Sequence, residues 1–350
     1  MRVKGDCKWQ KVHGRKVGQH IQMLSAQLLE EQAKQDDVDS NLIRKLHTEL
    51  KERQNEDDLY WRQRAKEDWL KHRDQNSRYF HASANQKKKA SMITKITDEW
   101  GKKWETEELI GDAFTKYFQD LFTTGGPRQM DSVLEKVDGK VTSEMNNALL
   151  KEFTVEEIGA TLNQMAPLKA PGPDGFFASF FQKNWAVIGN EVSHVVLLFL
   201  NNGSLNKELN LTYIALIPKV ANPLCVMEFR LINLCNVLYK LIAKTLANRL
   251  KLVLNDIISP NQSAFVLGRL ISNNILAAYE TFHTMQSRMW GKVGYMVVKF
   301  DMSKAYDKVE WDFLEAIMRQ MGFADRWIQL IMMCVKSATY AVLINGTPMG

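Results

Sequence analysis

The run Val297-Val298-Lys299-Phe300-Asp301-Met302-Ser303-Lys304-Ala305-Tyr306-Asp307 holds the residues best arranged for chemistry. Its apolar first half, Gly294 to Asp301, reads as a buried strand that delivers one carboxylate at its C-terminal end. A rigid strand aims such a group. A carboxylate placed there can ligate Mg²⁺ (or Mn²⁺), hard cations that prefer oxygen donors. Ions of this kind activate a hydroxyl and neutralise phosphate charge, so the chemistry indicated is phosphoryl transfer. Tyr306 lies five residues on, where a ring can cover a sugar. Taken alone, a strand end and a packed tyrosine account for the same residues.

Cations form the second layer. Leu216-Ile217-Pro218-Lys219 and Phe229-Arg230-Leu231-Ile232 each set one cation beside a short apolar strand. A lysine and an arginine on neighbouring strands can clasp a triphosphate, the arginine through bidentate contacts. Two exposed strand-edge charges fit as well. In the expected helix Val237 to Leu254, Lys240, Lys244 and Lys251 fall within roughly 40° of one another at about 100° per residue. A basic stripe of that kind suits a phosphate backbone, although a solvated helix face is its commoner meaning. Lys169-Ala170-Pro171-Gly172-Pro173-Asp174-Gly175 is a fixed, irregular loop that can present amides or Lys169 to a phosphate, or serve only as a turn. Lys87 to Lys89 is a weaker candidate for phosphate contact or nuclear import.

Other chemistries lack their signatures. There is no Gly-x-Ser-x-Gly elbow, P-loop or dinucleotide fingerprint, and the seven histidines stand at no metal-ligand spacing. The four cysteines, Cys7, Cys225, Cys235 and Cys334, form neither a metal pattern nor a disulfide framework, so reduced thiols are expected. With 350 residues, 45% hydrophobic and 25% charged, the composition is globular. The net charge of +6 permits a polyanionic partner without requiring one. Met1 to Gln10 lacks the apolar centre of a signal peptide, and the apolar run Val195 to Leu200 is too short to span a bilayer. No membrane partner is expected, and the nucleus or cytoplasm is the expected location.

The elements that must position these groups can be read in outline. Val17 to Arg78 predicts two or three amphipathic helices, with a break and cap at Asp36 to Ser40. Met92 to Thr97 reads as a strand and Glu99 to Lys102 as a turn. Glu105 to Leu121 reads as a helix with Leu109, Ala113, Tyr117 and Leu121 on its apolar side. Residues 123–153 read as a linker. Thr154 and Glu157 form a capping box for a helix that leads into the Pro-Gly loop. One apolar helix follows from Phe177 to Leu200, then a strand from Thr212 to Pro218, the basic helix, a loop from Ser259 to Leu267, and a helix from Ser272 to Met289. Asp307 to Met321 is a helix stopped by Gly322. Thr339 to Ile344 is a strand running into Asn345-Gly346, a hairpin whose return strand is expected to be missing.

Taken in order, these segments resemble one family. Lys-Ala-Pro-Gly-Pro-Asp-Gly (169–175), Leu-Ile-Pro-Lys (216–219), Phe-Arg-Leu-Ile-Asn-Leu-Cys-Asn (229–236), Tyr-Lys-Leu-Ile-Ala-Lys (239–244), Ala-Asn-Arg-Leu (247–250), Ile-Ser-Pro-Asn-Gln-Ser-Ala-Phe (258–265), Gly-Arg-Leu-Ile (268–271) and Phe-Asp-Met-Ser-Lys-Ala-Tyr-Asp (300–307) resemble the reverse transcriptase of plant-type, non-LTR (LINE-type) retrotransposons. Upstream, Trp69-Leu70-Lys71, Asp74, Asn76-Ser77 and Phe80-His81 resemble the segment between that family's endonuclease and polymerase. Each motif is weak alone, and the ordered set is specific.

The resemblance implies an α+β fold: a helical region over 1–122, a linker over 123–153, the fingers and part of the palm of a right-hand polymerase over 154–290, and the start of an incomplete palm over 291–350. It implies that Asp301 is the first catalytic aspartate and metal ligand, assisted by the Met302 carbonyl, and that Tyr306 excludes ribonucleotides. It implies that Lys219 and Arg230 hold the incoming triphosphate, and that Gln262 and Arg269 lie near template and nucleotide. The implied cofactor is Mg²⁺ (or Mn²⁺), and the implied partners are an RNA template, a DNA primer and deoxynucleotides. Leu231 replaces the family's usual proline, and Arg73 a usual glycine. The family's following blocks, an Arg-Gln-Gly motif and an Asp-Asp hairpin, have no counterpart after Asp301. The chain is therefore expected to be inactive as a polymerase. A non-catalytic nucleic-acid-binding remnant and a functionless relic remain as alternatives.

Overall fold

Apolar residues at helical spacing, in a stretch without proline, build the first two elements. The computed structural model describes residues 4–34, 39–65, 82, 85–86, 89–97, 101, 103–127, 129–203, 207–287, 294–302 and 304–350. Helix α1 (Lys4–Gln32) starts well before Val17, because its early Lys, Gln and Arg residues are good helix formers. Helix α2 (Ser40–Ala65) packs against it. The Asp39 carboxylate accepts the amides of Asn41 and Leu42 at 2.9 and 3.1 Å, which makes it the cap that the sequence led us to expect in this break. Leu24, Leu28 and Leu50 close the seam between the two helices.

Strand β1 (Ile96–Thr97) is shorter than expected and pairs antiparallel with β2 (Lys103–Trp104). Helix α3 (Glu107–Phe122) is capped by the Thr106 hydroxyl. It buries Ile110, Gly111, Phe114 and Phe118, one position along from the predicted stripe, and Leu109 is exposed. The sheet on which the helix lies chooses the face. Two short helices, α4 (Met130–Leu134) and α5 (Ser143–Leu149), occupy the stretch read as a linker.

Helix α6 (Val155–Asn163) begins at Thr154, whose hydroxyl accepts the Glu157 amide at 3.3 Å. The single helix predicted from Phe177 is two: α7 (Ala178–Lys183) and α8 (Trp185–Asn202). Asn184 divides them, its side-chain amide donating to the Phe180 carbonyl at 2.8 Å, the local competition for backbone that this residue type favours. Strands β3 (Leu211–Pro218) and β4 (Phe229–Cys235) pair antiparallel and lead into α9 (Val237–Ile257). Then follow α10 (Ile271–Ser287), a 3₁₀ turn Tyr306–Lys308, α11 (Trp311–Gln320) and α12 (Asp325–Lys336). The chain closes on β5 (Thr339–Ile344) and β6 (Thr347–Met349). The return strand expected to be missing is therefore present. Asn345 and Gly346, at φ +51° and +90°, make the tight turn before it.

The sheet order is β4-β3-β5-β6, with β3 and β5 parallel and the other neighbours antiparallel. One sheet face (Ile214, Leu216, Phe229, Val342, Ile344) packs on Ile110, Phe114 and Phe118 of α3. A larger core gathers residues of α5 to α9, α11 and α12, with Leu149, Ile158, Phe199, Leu241 and Trp327 among its most enclosed members. The architecture is α+β.

One predicted element does not form. Residues 294–302 carry no strand, and Met296 and Phe300 are 83% and 91% exposed. A strand requires a neighbour for its amides and carbonyls. Both sides of β3 are taken by β4 and β5, and no sheet among the described residues includes 294–302. Asp301 therefore sits on an exposed segment without regular structure.

Candidate nucleic-acid interface

The β3–β4 hairpin settles the geometry of two predicted residues. Ile217 lies opposite Arg230 and Pro218 opposite Phe229, and the Lys219 amide donates to the Glu228 carbonyl at 2.7 Å. Side chains alternate along a strand, so Lys219 and Arg230 share a face with Ile217 and Ile232. That face is exposed at all four residues, whereas Leu216 and Phe229 are buried on the opposite one. The Lys219 ammonium reaches back to the Met227 carbonyl at 2.8 Å. Two cations from adjacent strands thus stand on one open surface, an arrangement able to take a polyphosphate.

The Pro-Gly loop is locked to the start of α9. A Cβ on Gly172 would fall 2.4 Å from the Asn236 backbone nitrogen. The Asp174 amide donates to the Asn236 side-chain oxygen at 3.1 Å, and the Lys240 ammonium donates to the Ala170 carbonyl at 3.0 Å. Partial burial, opposed by Cys235 and Asp174 and reinforced by the like charge of Lys169, holds the Lys240 pKa below the usual lysine range. Of the predicted stripe, Lys240 thus braces the loop, Lys244 is half-buried and Lys251 is exposed. Lys169 is exposed on the loop itself.

Arg269 closes the loop after α9. Its guanidinium donates to the carbonyls of Asn255 (3.0 Å), Ile258 (3.3 Å), Ser259 (2.5 Å) and Gln262 (2.8 Å). Cations suit such carbonyls, which a helix C-terminus leaves unpaired. Gln262 is exposed on this loop.

Arg249 was not singled out by the sequence reading. It is buried, sits 3.5 Å above the Phe153 ring, and clasps Glu157 through two bonds of 2.9 and 2.7 Å. It also donates to the carbonyls of Leu149, Lys151 and Glu152. Asn248 beside it donates to Thr161 and Gln164. The signal lay in the spacing: Arg249 falls three residues after Leu246 and four before Val253, on the apolar face of α9. A charge at such a position needs a buried partner.

Asp301 and Met302 are exposed, and Ser303 lies outside the described residues. Beyond them, Lys304 sets its ammonium 4.2 Å from the Tyr117 ring centre, and desolvation lowers its pKa. Tyr306 is exposed and meets the ring of Phe265. Among the described residues no three His, Cys, Asp or Glu side chains converge as a metal site. A single exposed carboxylate does not fit a pair of divalent ions, each of which needs several oxygen donors. Lys87, Lys88 and the upstream motif residues from Trp69 to His81 lie outside the described residues. Among those described, no helix is long and apolar enough to cross a membrane.

Comparison with known proteins adds two findings. Residues 217–350 match the family described as reverse transcriptase (RNA-dependent DNA polymerase). The chain is also 30% identical over 274 residues to an uncharacterized 149 kDa protein of transposon TX1 from Xenopus laevis. That match covers 78% of this chain and 21% of the Xenopus protein, so the chain spans about a fifth of its relative's length. The matched region contains Lys219, Arg230, Arg269, Asp301 and Tyr306. On its ordered motifs and these two matches, the chain is similar to the reverse transcriptases of LINE-type retrotransposons, its polymerase-family segment lying in residues 217–350.

Proposed function

We propose that residues 154–350 are fingers and part of the palm of an RNA-directed DNA polymerase, and that Lys219 and Arg230 hold the triphosphate of an incoming deoxynucleotide. The observation that carries this reading is the placement of both cations on one exposed face of a single hairpin. In the same reading Gln262 lies on the template side, and Tyr306 covers the sugar. Lys169, Lys244 and Lys251 meet the backbone of the RNA template or DNA primer, in the nucleus or the cytoplasm. Arg269 and Lys240 act indirectly, by fixing the loops that carry Gln262 and Lys169.

These 350 residues alone do not polymerise. Among the described residues, Asp301 has no second carboxylate with which to hold the Mg²⁺ (or Mn²⁺) pair that the family uses. Equilibrium binding of a deoxynucleoside triphosphate tests the first part. Arg230→Ala is expected to weaken it at least tenfold, since a charge-assisted bond contributes about 1.5–3 kcal/mol; unchanged binding would sink the assignment. Primer extension by the chain that disappears in Asp301→Asn would overturn the second part.

The lone carboxylate also favours a second reading, a nucleic-acid-binding remnant without catalysis. Salt-dependent RNA binding without triphosphate binding would select it. Absence of both would leave a relic with neither role.

A further inference from the structure

Phe265 and Tyr306, far apart in sequence, meet edge to face with ring centres 6.2 Å apart and planes at 81°. Core packing does not account for the contact, because the two residues are 79% and 75% exposed. Both rings are nonetheless held. Phe265 stands at φ +64°, which a bulky side chain adopts only where its surroundings impose it. Its loop is tied down by the Arg269 guanidinium through four backbone carbonyls. On the other side, Lys304 at φ +53° anchors its ammonium over Tyr117, and the turn Tyr306–Lys308 packs against α3. Two constrained loops therefore present two open aromatic surfaces at a right angle.

An edge-to-face pair leaves ring faces free, and every nucleobase has a flat face to lay against one. Lys299 and Lys308 are exposed on the same segment, where they can meet a phosphate backbone. We propose that Phe265 and Tyr306 form an L-shaped bracket for an unpaired nucleobase, with Phe265 as the stacking ring and Tyr306 as the wall. This rests on the nucleic-acid reading above and assigns Phe265 a contact with the bound strand or nucleotide.

The test uses the 350-residue chain and a single-stranded oligonucleotide carrying one 2-aminopurine, with anisotropy reporting binding and quenching reporting stacking. The chain is expected to bind and to quench. Phe265→Ala should lose the quenching and bind roughly tenfold more weakly, as for one lost base–aromatic stack, with its salt dependence unchanged. Phe265→Trp should restore both. A parallel arm with 2-aminopurine deoxynucleoside triphosphate identifies the occupant. Quenching there places the incoming nucleotide in the bracket, and quenching of the oligonucleotide alone places a strand base there. Binding with quenching that survives Phe265→Ala overturns the bracket and leaves the proposed function standing. No binding of either probe overturns both.

Discussion

Arg249 carries more of the fold than any other charged side chain described. Its guanidinium is taken out of water, so the bonds to Glu157 and to three carbonyls replace its hydration. Removing one partner leaves the other charge without compensation, which costs about 3–5 kcal/mol. Arg249→Leu is expected to lower the urea midpoint by a corresponding amount. Asp301→Asn, at an exposed position, should leave stability within about 0.5 kcal/mol of the parent. An Arg249 variant as stable as the parent would contradict this account. At this scale the two apolar stretches beside Lys219 and Arg230 were legible in the sequence, but their common face is set by the hairpin register that puts Ile217 opposite Arg230. The work of Arg249 and Arg269 was not legible, because most of their acceptors are backbone carbonyls, which no side-chain pattern marks.

The junction of the Pro-Gly loop with α9 depends on the absence of a side chain at Gly172. A Cβ there would meet the Asn236 backbone, so loop and helix would have to part. Gly172→Ala is expected to cost roughly 1–3 kcal/mol, as overpacking does, and thermal melts would show whether it does. A second expectation concerns the packing of α9 on α12. Tyr239 donates to the Cys334 carbonyl at 3.0 Å. Burial pushes the Cys334 thiol from 9.0 up to about 12 and raises the Tyr239 hydroxyl above its usual range. The folded chain therefore keeps protons that the unfolded chain releases. This contribution is complete below about pH 9 and is lost as pH rises toward 12. Urea midpoints should fall across that window, and less steeply in Cys334→Ala. Helix positions were legible at this scale from apolar spacing, but the buried face of α3 was not. Its stripe is selected by Val342 and Ile344, strand residues more than two hundred positions away in sequence.

Across the whole molecule, burial is uneven. Helix α10 has no buried residue and exposes Ile271, Ile275, Leu276, Tyr279 and Phe282. The segment 295–300 adds Tyr295, Met296, Val297, Val298 and Phe300. Such surfaces attract hydrophobic dyes and self-associate. The isolated chain is expected to enhance bis-ANS fluorescence at neutral pH and to sediment heterogeneously; a monomeric, dye-silent chain would refute this. The α+β class was legible because strand-like and helix-like periods alternate along the sequence. Helix α12 was not foreseen, although its Trp327 is among the most enclosed side chains. Its apolar run is short and close to the strand that follows, so period alone did not separate the two.

The parallel pairing of β3 with β5 sets a timetable for synthesis. Leu211 pairs with Thr339, roughly 130 residues later in the chain. At translation speeds of about 5–20 residues per second, the β3–β4 hairpin, complete at Cys235, waits about 5–21 s on the ribosome for β5 to begin at Thr339. Over that interval Phe114 and Phe118 lack the strand that seals them, and β3 keeps one edge open. Until β5 has been made, the nascent chain thus presents an open strand edge of the kind that chaperones cover.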